Sequence, residues 1–263
     1  MEVLSPRTLD EALRLKAERP EAVPIQGGTD VMVDLNFDRA RPPALLNLNE
    51  VAELRGWSRA NGSIRLGTGL TYTEAMEAQL SDALPALAED SRTVGGPQIR
   101  NRGTVGGNLG TASPAGDALP PLLIADAVVE LANVRGERAV PLTEFLTGPK
   151  RNALAADELI VAVRVRAVDG TQTFMKVGPR NAMVISVVSL ALSVDRERGE
   201  VRAAFGSAGP VPTLVTAPLA ELDGFPERVS AAASPIDDVR GSAAYRRHSL
   251  RVLAARAVER CLQ

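Results

Sequence analysis

The segment from Gly95 to Asn108 constrains the fold more than any other part of the chain. It contains five glycines and one proline in fourteen residues. Neither a regular helix nor a regular strand tolerates that density, because ordering glycine costs much conformational entropy. The sequence therefore predicts a structured loop here.

The chain has two glycine turns. The first spans Gln26 to Asp30, between a short extended segment and a short helix that starts near Val31, and the second spans Gly103 to Asn108 within the segment above. Glycine can adopt positive φ and has no Cβ, so successive backbone N–H groups can form a concavity that binds phosphate. A helix N-terminus or the hydroxyls of Thr29 and Thr104 could add hydrogen-bond donors. Two such turns suit a diphosphate bridge. The alternative is that each is only a tight connection, and neither turn has the G-x-G-x-x-G pattern.

Apolar periodicity predicts a mixture of helices and strands. The 263 residues could form one large domain or two to three small ones. Thr8 to Glu11 and Thr71 to Glu74 have the pattern of a capping box. The predicted helices lie at about 9–18, 71–79, 83–92, 118–125, 214–222 and 242–262, and three longer strands lie at 173–177, 184–195 and 201–207. The change after residue 168 indicates a separate small α+β domain.

Composition excludes several classes of protein. The net charge is −2 and aromatic residues make up 3%, which argues against a nucleic-acid-binding surface. One cysteine and one histidine argue against an internal disulfide, a bound iron–sulfur cluster, a zinc site and a Ser-His-Asp triad within this chain. The start of the chain has no apolar targeting segment, and no window reaches 18 apolar residues, so we expect a cytoplasmic protein without a membrane span.

Five motifs in this order resemble the FAD-binding medium subunit of molybdenum hydroxylases, the family of the xanthine dehydrogenase, aldehyde oxidoreductase and aerobic carbon monoxide dehydrogenase complexes. The resemblance covers nearly the whole chain. The matching segments are Gln26 to Asp30, Ile99 to Leu109, Ala112 to Pro121, Phe174 to Ser186 and Ala243 to His248.

The resemblance implies an α+β fold with a PCMH-type FAD-binding domain of the vanillyl-alcohol-oxidase type at 1–168. That domain would consist of two α+β subdomains, at about 1–56 and 57–168, and a small C-terminal α+β domain would follow at 169–263. The resemblance assigns cofactor contacts, and no catalytic or metal-binding role, to Val23, Pro24, Ile25, Gln26, Gly27, Gly28, Thr29, Asp30, Thr104, Val105, Gly106, Gly107, Asn108, Thr111, Asp117, Ile160 and Lys176.

Two of these assignments have structural alternatives. Asp117 precedes an apolar helical run and could be its N-cap. Lys176 could be a solvent-facing residue of a strand, or a cation near the FAD diphosphate or its reduced ring. Arg100 and Arg102 flank the glycine loop and are more simply explained as solvated, so we assign them no role. We expect a surface position for His248 and a packing role for Cys261.

The resemblance implies an electron-transfer subunit. It would take electrons from the [2Fe-2S] clusters of a small partner subunit and pass them to NAD+, a quinone or oxygen, with substrate oxidised in a molybdopterin-binding large subunit. A dimer of heterotrimers is the expected assembly. The alternatives are a stand-alone FAD-dependent oxidoreductase and a non-enzymatic nucleotide-binding assembly subunit.

Overall fold

The structure is a computed structural model that describes residues 1–168, 170–180 and 183–263. In chain order, its strands are β1 (Glu2–Leu4), β2 (Val23–Ile25), β3 (Ala44–Asn47), β4 (Trp57–Ala60), β5 (Ser63–Gly67), β6 (Val128–Asn133), β7 (Gly136–Pro141), β8 (Leu146–Gly148), β9 (Arg151–Asn152), β10 (Leu159–Arg166), β11 (Gly170–Val177), β12 (Val188–Asp195), β13 (Glu200–Gly206) and β14 (Thr213–Pro218). The helices are α1 (Leu9–Glu18), α2 (Val31–Asn36), α3 (Tyr72–Ala75), α4 (Ala78–Ala83), α5 (Pro85–Thr93), α6 (Pro97–Arg100), α7 (Val105–Thr111), α8 (Leu119–Ile124), α9 (Leu142–Phe145), α10 (Phe225–Ala231) and α11 (Ala243–Leu262), with a 3-10 turn at Ala52–Leu54.

The first part of the chain forms a parallel sheet of three strands in the order β1-β3-β2. Helix α1 packs Ala12 and Leu13 into the core beside this sheet, as its predicted amphipathic face requires. Thr8 caps α1 by accepting a hydrogen bond from the N–H of Glu11. The predicted capping box is incomplete, because the Glu11 carboxylate accepts from the N–H of Arg7.

The next part is built on an antiparallel sheet in the order β4-β5-β10-β6-β7. Helices α3 to α9 accompany this sheet, and Ile64, Leu66 and Leu109 lie in its fully buried core. Thr71 and Glu74 form the complete capping box that the sequence predicts. The predicted helix at 71–79 divides into α3 and α4, because Glu77 has an extended backbone between them.

The prediction of a loop throughout residues 95–108 is wrong. Residues 97–100 form α6, and residues 105–111 form α7. Thr104 caps α7, because its hydroxyl accepts from the N–H of Gly107 at 3.0 Å. Gly106 lies so close to Thr68 that an added Cβ would be 2.7 Å from the Thr68 carbonyl oxygen. Glycine is therefore required at this position for close packing, and this contact outweighs its poor helix propensity.

The last part is an antiparallel sheet in the order β11-β12-β13-β14, with α10 and α11 packed together and α11 packed against β11 and β12. The predicted helix at 214–222 is wrong, because Thr213–Pro218 is a strand paired with β13. Its β-branched residues Thr213, Val215 and Thr216 suit a strand at the edge of a sheet. The chain therefore has a fourth strand here, and helix α10 was not predicted.

Strands β8 and β9 form a small two-stranded sheet. Apolar packing joins the five-stranded and four-stranded sheets. Phe174, Ala191 and Ala204 from the last sheet belong to the same core cluster as Leu119 and Leu122 of α8. The mixed α+β class predicted from the sequence is confirmed. The domain boundary at 168/169 stays a prediction, and Asp169 lies outside the described residues. Asn181 and Ala182, within the matching segment from Phe174 to Ser186, also lie outside them.

Candidate functional site

The two glycine turns meet at one seam. An added Cβ on Gly27 would be 2.8 Å from the backbone carbonyl carbon of Arg102 and 3.1 Å from the Cα of Gly103. The Arg102 guanidinium crosses the same seam and donates to the backbone carbonyl of Gln26 at 3.2 Å and to Asn49 at 3.3 Å. Glycine at position 27 therefore lets the two backbones touch, and Arg102 ties them together.

A cleft of about 290 Å3 opens along this seam. One wall comes from the segment that includes β2 and the first glycine turn, and the other comes from α7. The cleft is lined by Val23, Pro24, Ile25, Gln26, Gly27, Gly28, Thr29, Asp30, Val31, Leu48, Thr68, Tyr72, Thr104, Gly106, Gly107, Asn108, Gly110, Thr111, Leu154, Leu159 and Ile160.

The first glycine turn offers unused backbone donors. Gly28 has φ of +74°, a left-handed conformation that favours glycine. Among the described residues, the N–H groups of Gly27, Gly28 and Thr29 have no hydrogen-bond acceptor. This turn can therefore present several donors to an anion, as the sequence predicts.

The second glycine turn is built differently, and the prediction of a second backbone nest is wrong. The N–H of Gly106 donates to the carbonyl of Thr68, the N–H of Gly107 donates to the hydroxyl of Thr104, and the N–H of Asn108 donates to the carbonyl of Thr104. What this turn supplies is a wall without bulky side chains, because Gly107 and Gly110 are exposed and line the cleft.

A hydrogen bond joins the two walls of the cleft. The Thr111 hydroxyl, at the end of α7, donates to the Asp30 carboxylate at 2.7 Å. Asn152 supports α7 from outside, because its side-chain amide donates to the carbonyl of Gly110 at 2.9 Å. The width of the cleft is therefore set by side chains as well as by the glycine seam.

Two buried polar atoms in the cleft lack a partner among the described residues. They are the Thr68 hydroxyl oxygen and the Asn108 side-chain oxygen. An unpaired buried polar atom costs about 1–3 kcal/mol. Both residues line the cleft, and their unpaired oxygens are buried in its wall.

Sequence reasoning missed seven residues that line the cleft, namely Val31, Leu48, Thr68, Tyr72, Gly110, Leu154 and Leu159. Thr68 had a signal in its flanking glycines. An added Cβ on Gly67 would be 2.8 Å from the carbonyl carbon of Leu54, and one on Gly69 would meet the Gln26 side chain. The tripeptide 67–69 is therefore shaped by close contacts around the site.

Fourteen of the seventeen predicted site residues line the cleft, and three do not. Val105 is fully buried in the core. Asp117 and Lys176 form a buried ion pair, in which the Lys176 side chain is 5% exposed. The solvent-facing alternative for Lys176 is thus wrong. The N-cap alternative for Asp117 is also wrong, because Ala118 is the N-cap of α8 and no side chain caps that helix.

Residues outside the assigned set behave as structural groups. Arg100 donates to the carbonyls of Val94 and Gly95 at 3.2 and 2.9 Å and so holds the turn before α6. His248 is exposed on α11, and Cys261 is buried in the core of the last sheet. The expectations for His248 and Cys261 are confirmed.

The ion pair belongs to a buried cluster of titratable groups behind the cleft. Asp90 on α5 is fully buried, and burial raises the pKa of its carboxyl well above the usual value, with the Asp117 charge adding to the rise. Burial likewise raises the pKa of Asp117, and Lys176 opposes that rise. The pKa of Tyr72 is also raised, first by burial and then by the charges of Asp90 and Asp117.

Two other kinds of site are absent from the described part of the chain. Within residues 1–168, 170–180 and 183–263, no three His, Cys, Asp or Glu side chains come together as a metal site. Of the helices in these ranges, none combines the length and hydropathy that a bilayer crossing requires.

Comparison with known proteins gives consistent matches in sequence and in fold. The family described as "FAD binding domain in molybdopterin dehydrogenase" matches residues 1–166. The xanthine dehydrogenase FAD-binding subunit of Escherichia coli O157:H7 is 34% identical over 270 residues, covering 95% of this chain and 92% of that protein. The nicotinate dehydrogenase FAD-subunit of Eubacterium barkeri is 35% identical over 204 residues, covering 74% of this chain and 69% of that protein.

Solved structures share the fold at lower sequence identity. A chain of the carbon monoxide dehydrogenase from Hydrogenophaga pseudoflava superposes with a TM-score of 0.91 at 23% identity, covering 100% of this chain and 97% of that chain. A chain of quinoline 2-oxidoreductase from Pseudomonas putida 86 gives a TM-score of 0.91 at 22% identity, with 99% and 96% covered.

Proposed function

Because the chain belongs to the family of FAD-binding medium subunits of molybdenum hydroxylases, we propose that the cleft between residues 23–31 and 104–111 holds the FAD and that the chain relays electrons within a larger complex. The observation that carries this proposal is the seam at Gly27, where two glycine turns supported by different sheets form one cleft. The seventeen residues assigned from the sequence divide into fourteen that would contact the cofactor directly and three that would act from behind the wall.

The first glycine turn fits the diphosphate of FAD. The N–H groups of Gly27, Gly28 and Thr29 are free to donate among the described residues, and glycine puts no Cβ in the way of a phosphate. The second turn would let the cofactor approach the backbone of α7 closely, because Gly107 and Gly110 on the opposite wall have no side chains. The diphosphate is therefore assigned to residues 27–29.

The remaining wall fits the less charged parts of the cofactor. Thr68 and Asn108 contribute polar side chains to this wall, which suit the polar edges of a sugar or a ring. Leu48, Leu154 and Ile160 supply apolar surface that excludes water from a bound ring. This combination of an apolar wall with few polar groups is typical of a cofactor site.

FAD supplies the redox chemistry of such a subunit, because a flavin ring exchanges electrons singly or in pairs. The residues of this chain bind the cofactor, orient it and exclude water from it. No acid or base among the seventeen residues is needed for that work, so we assign no catalytic residue.

The chain would work with two partners. Electrons would leave the substrate in a molybdopterin-binding large subunit and pass to [2Fe-2S] clusters in a small subunit. This chain would accept the electrons from those clusters and deliver them to NAD+, a quinone or oxygen. The single cysteine of this chain supports the assignment of the clusters to a partner. A dimer of heterotrimers in the cytoplasm is the proposed assembly.

The binding site can be tested with Gly107→Val in the full chain. An added Cβ at position 107 meets only the Thr104 hydroxyl, at 3.2 Å, so a larger side chain there fills the cleft and leaves the core intact. We expect the Kd for FAD to rise by about tenfold or more, with an unchanged thermal midpoint. Calorimetric titration with FAD measures the Kd.

Gly148→Val is the matched control for this test. An added Cβ there would be 3.7 Å from the Arg151 side chain, and Gly148 does not line the cleft. This variant should bind FAD as the wild-type chain does. Wild-type affinity in Gly107→Val would remove α7 from the site.

A further inference from the structure

Asp90 is an unusual acidic residue because its carboxylate has no hydrogen-bond donor in the described part of the chain. It lies on α5 with 0% of its surface exposed, and neither carboxylate oxygen has a hydrogen-bond partner there. Burying an isolated carboxylate is so costly that such a group takes up a proton. Burial therefore raises the pKa of the Asp90 carboxyl and favours its protonated form, while the Lys176 charge opposes that rise.

An ion pair lies beside this acid. The Lys176 ammonium donates to one oxygen of Asp117 and, at 3.4 Å, to the carbonyl of Thr93, which is on the same helix as Asp90. The other oxygen of Asp117 is buried, and the Ser186 hydroxyl is the polar group beside this carboxylate. The cluster of Asp90, Asp117 and Lys176 therefore holds two carboxyls but only one cation.

Two residues of the cleft wall lie on the side of this cluster. Tyr72 lines the cleft and is almost fully buried, and the charges of Asp90 and Asp117 raise its pKa. Asn108 also lines the cleft, and its unpaired oxygen would be 2.7 Å from a Cβ on Gly116, the residue before Asp117. The cluster thus lies directly behind the cleft wall.

We propose that Asp90 is the proton-carrying member of this cluster, and that through it the binding of FAD in the cleft is coupled to the uptake of one proton from solvent. The proposal rests on the proposed function, since it takes the cleft to be the FAD site. Asp90 is a positioning residue in this scheme, because it acts through Asp117 and Lys176 and touches neither the cofactor nor a substrate.

The coupling follows from charge. As the pH rises, the empty protein releases the Asp90 proton and leaves two buried carboxylates against one ammonium. FAD brings a negatively charged diphosphate into the cleft, and nearby negative charge opposes the ionisation of a carboxyl. The loaded protein therefore keeps the Asp90 proton to higher pH than the empty protein does. Between these two ionisations, each FAD that binds draws one proton from solvent.

The elements packed against α5 define what faces Asp90. Tyr72 faces it from α3, Asp117 from the segment before α8, and Lys176 from β11. Helix α8 itself is apolar throughout, and Asp82 on α4 is exposed. On α5, Glu89 accepts from Thr173 and from the backbone N–H of Phe174, and Arg92 is exposed.

The test is calorimetric titration of the full chain with FAD at several pH values across the range in which the empty chain stays folded, each in two buffers of different ionisation enthalpy. The wild-type chain should take up as much as one proton per FAD, and its affinity should fall by as much as about tenfold per pH unit between the two ionisations. Asp90→Asn keeps the shape of the side chain and removes the proton, so it should show no uptake and a flat affinity. Asp82→Asn, the same change on an exposed residue, should behave as wild type.

Stability of the empty chain gives a second readout. A carboxyl that is harder to ionise in the folded state stabilises the protein at low pH, and this contribution is lost as the pH rises through its raised pKa. The free energy of unfolding in urea should therefore fall with rising pH in the wild type and in Asp82→Asn, and less in Asp90→Asn.

The outcomes separate the two proposals. Equal proton uptake by wild type and Asp90→Asn, or FAD binding by wild type with no uptake at any pH, would overturn the coupling and leave the FAD site standing. If Asp90→Asn does not fold, wild-type protein that binds FAD without proton uptake at any pH would still overturn the coupling. Wild-type protein that binds no FAD at any pH would overturn the proposed function together with the coupling.

Discussion

Gly106 and Gly107 are neighbours in one helix, yet the structure places opposite demands on them. A Cβ on Gly106 would be 2.7 Å from the Thr68 carbonyl oxygen, whereas a Cβ on Gly107 meets only the Thr104 hydroxyl at 3.2 Å. Gly106→Ala should therefore lower the free energy of unfolding by about 1–3 kcal/mol, because a backbone contact must open. Gly107→Ala should change the free energy of unfolding little, because the better helix propensity of alanine offsets the close contact with the Thr104 hydroxyl.

Urea unfolding of the two alanine variants measures this difference. The comparison is internally matched, because both changes add one methyl group to the same helix. Equal stability of the two variants would mean that the backbone of Thr68 can move away from α7 without cost.

The environment of Lys176 could not be predicted from the sequence, and its pairing with Asp117 shows why. A lone lysine in a strand of apolar residues is ambiguous in sequence, because a solvated and a buried lysine have the same neighbours along the chain. The structure pairs it with a carboxylate 59 positions away, so that its side chain is only 5% exposed. The positive charge that a nearby cofactor senses is thus largely balanced by Asp117.

At the scale of the elements, an ion pair between Asp238 and Arg246 connects the segment from Asp238 to Gly241 to α11. Asp238 bonds to the side chains of Arg240 and Arg246, and these hydrogen bonds lower the pKa of its carboxyl to about 2. Its contribution to stability is therefore present above its unfolded pKa and is lost as the pH falls through about 2. The free energy of unfolding should decrease on acidification between about pH 4 and 2.

Asp238→Asn checks this contribution. The variant cannot lose a carboxylate at that position, so its stability should fall less steeply over the same acid range. Circular dichroism during urea unfolding at each pH gives the slopes. Parallel slopes in the variant and the wild type would place the acid-sensitive contribution elsewhere.

The elements that the sequence predicted well are those in which local signals agree. Helix α1 has a capping threonine and an apolar face, and α11 has both a cap at Ser242 and a long pattern. Helix α7 was missed because Gly106 is required by a contact with Thr68, 38 positions away along the chain. Strand β14 was missed because the helix prediction did not take account of its β-branched residues and could not include its pairing with β13.

The same distinction applies to the candidate site. The glycine turns are local motifs, so the residues of both could be assigned from the sequence. Leu48 and Tyr72 reach the cleft only through the fold, and no local pattern marks them as lining residues. The charge cluster behind the cleft was also hidden, because Asp90, Asp117 and Lys176 come from three separate segments.

At the scale of the whole molecule, the chain is expected to be an electron relay that is incomplete alone. Loaded with FAD, the purified chain should reduce dyes slowly from a chemical or nicotinamide reductant. It should not hydroxylate purines, aldehydes or carbon monoxide, because the proposed substrate centre lies in another polypeptide. Product analysis after incubation with each substrate measures this.

Metal analysis of the same preparation is the necessary control for the relay prediction. A preparation free of molybdenum and iron that still hydroxylates a substrate efficiently would contradict the subunit assignment. It would support a stand-alone flavoenzyme instead.

The position of β10 sets the order in which this molecule can mature. The strand lies in the middle of the five-stranded sheet, between β5 and β6, yet it follows both of them in the chain. A nascent chain can therefore form the β4-β5 and β6-β7 hairpins early, but it cannot join them until residue 166 has left the ribosome. Leu159 and Ile160, which line the cleft, arrive with that same strand. Cofactor loading must accordingly wait for synthesis of the N-terminal two thirds of the protein, so a ribosome stalled before β10 would hold a chain with both glycine turns and no finished place for FAD.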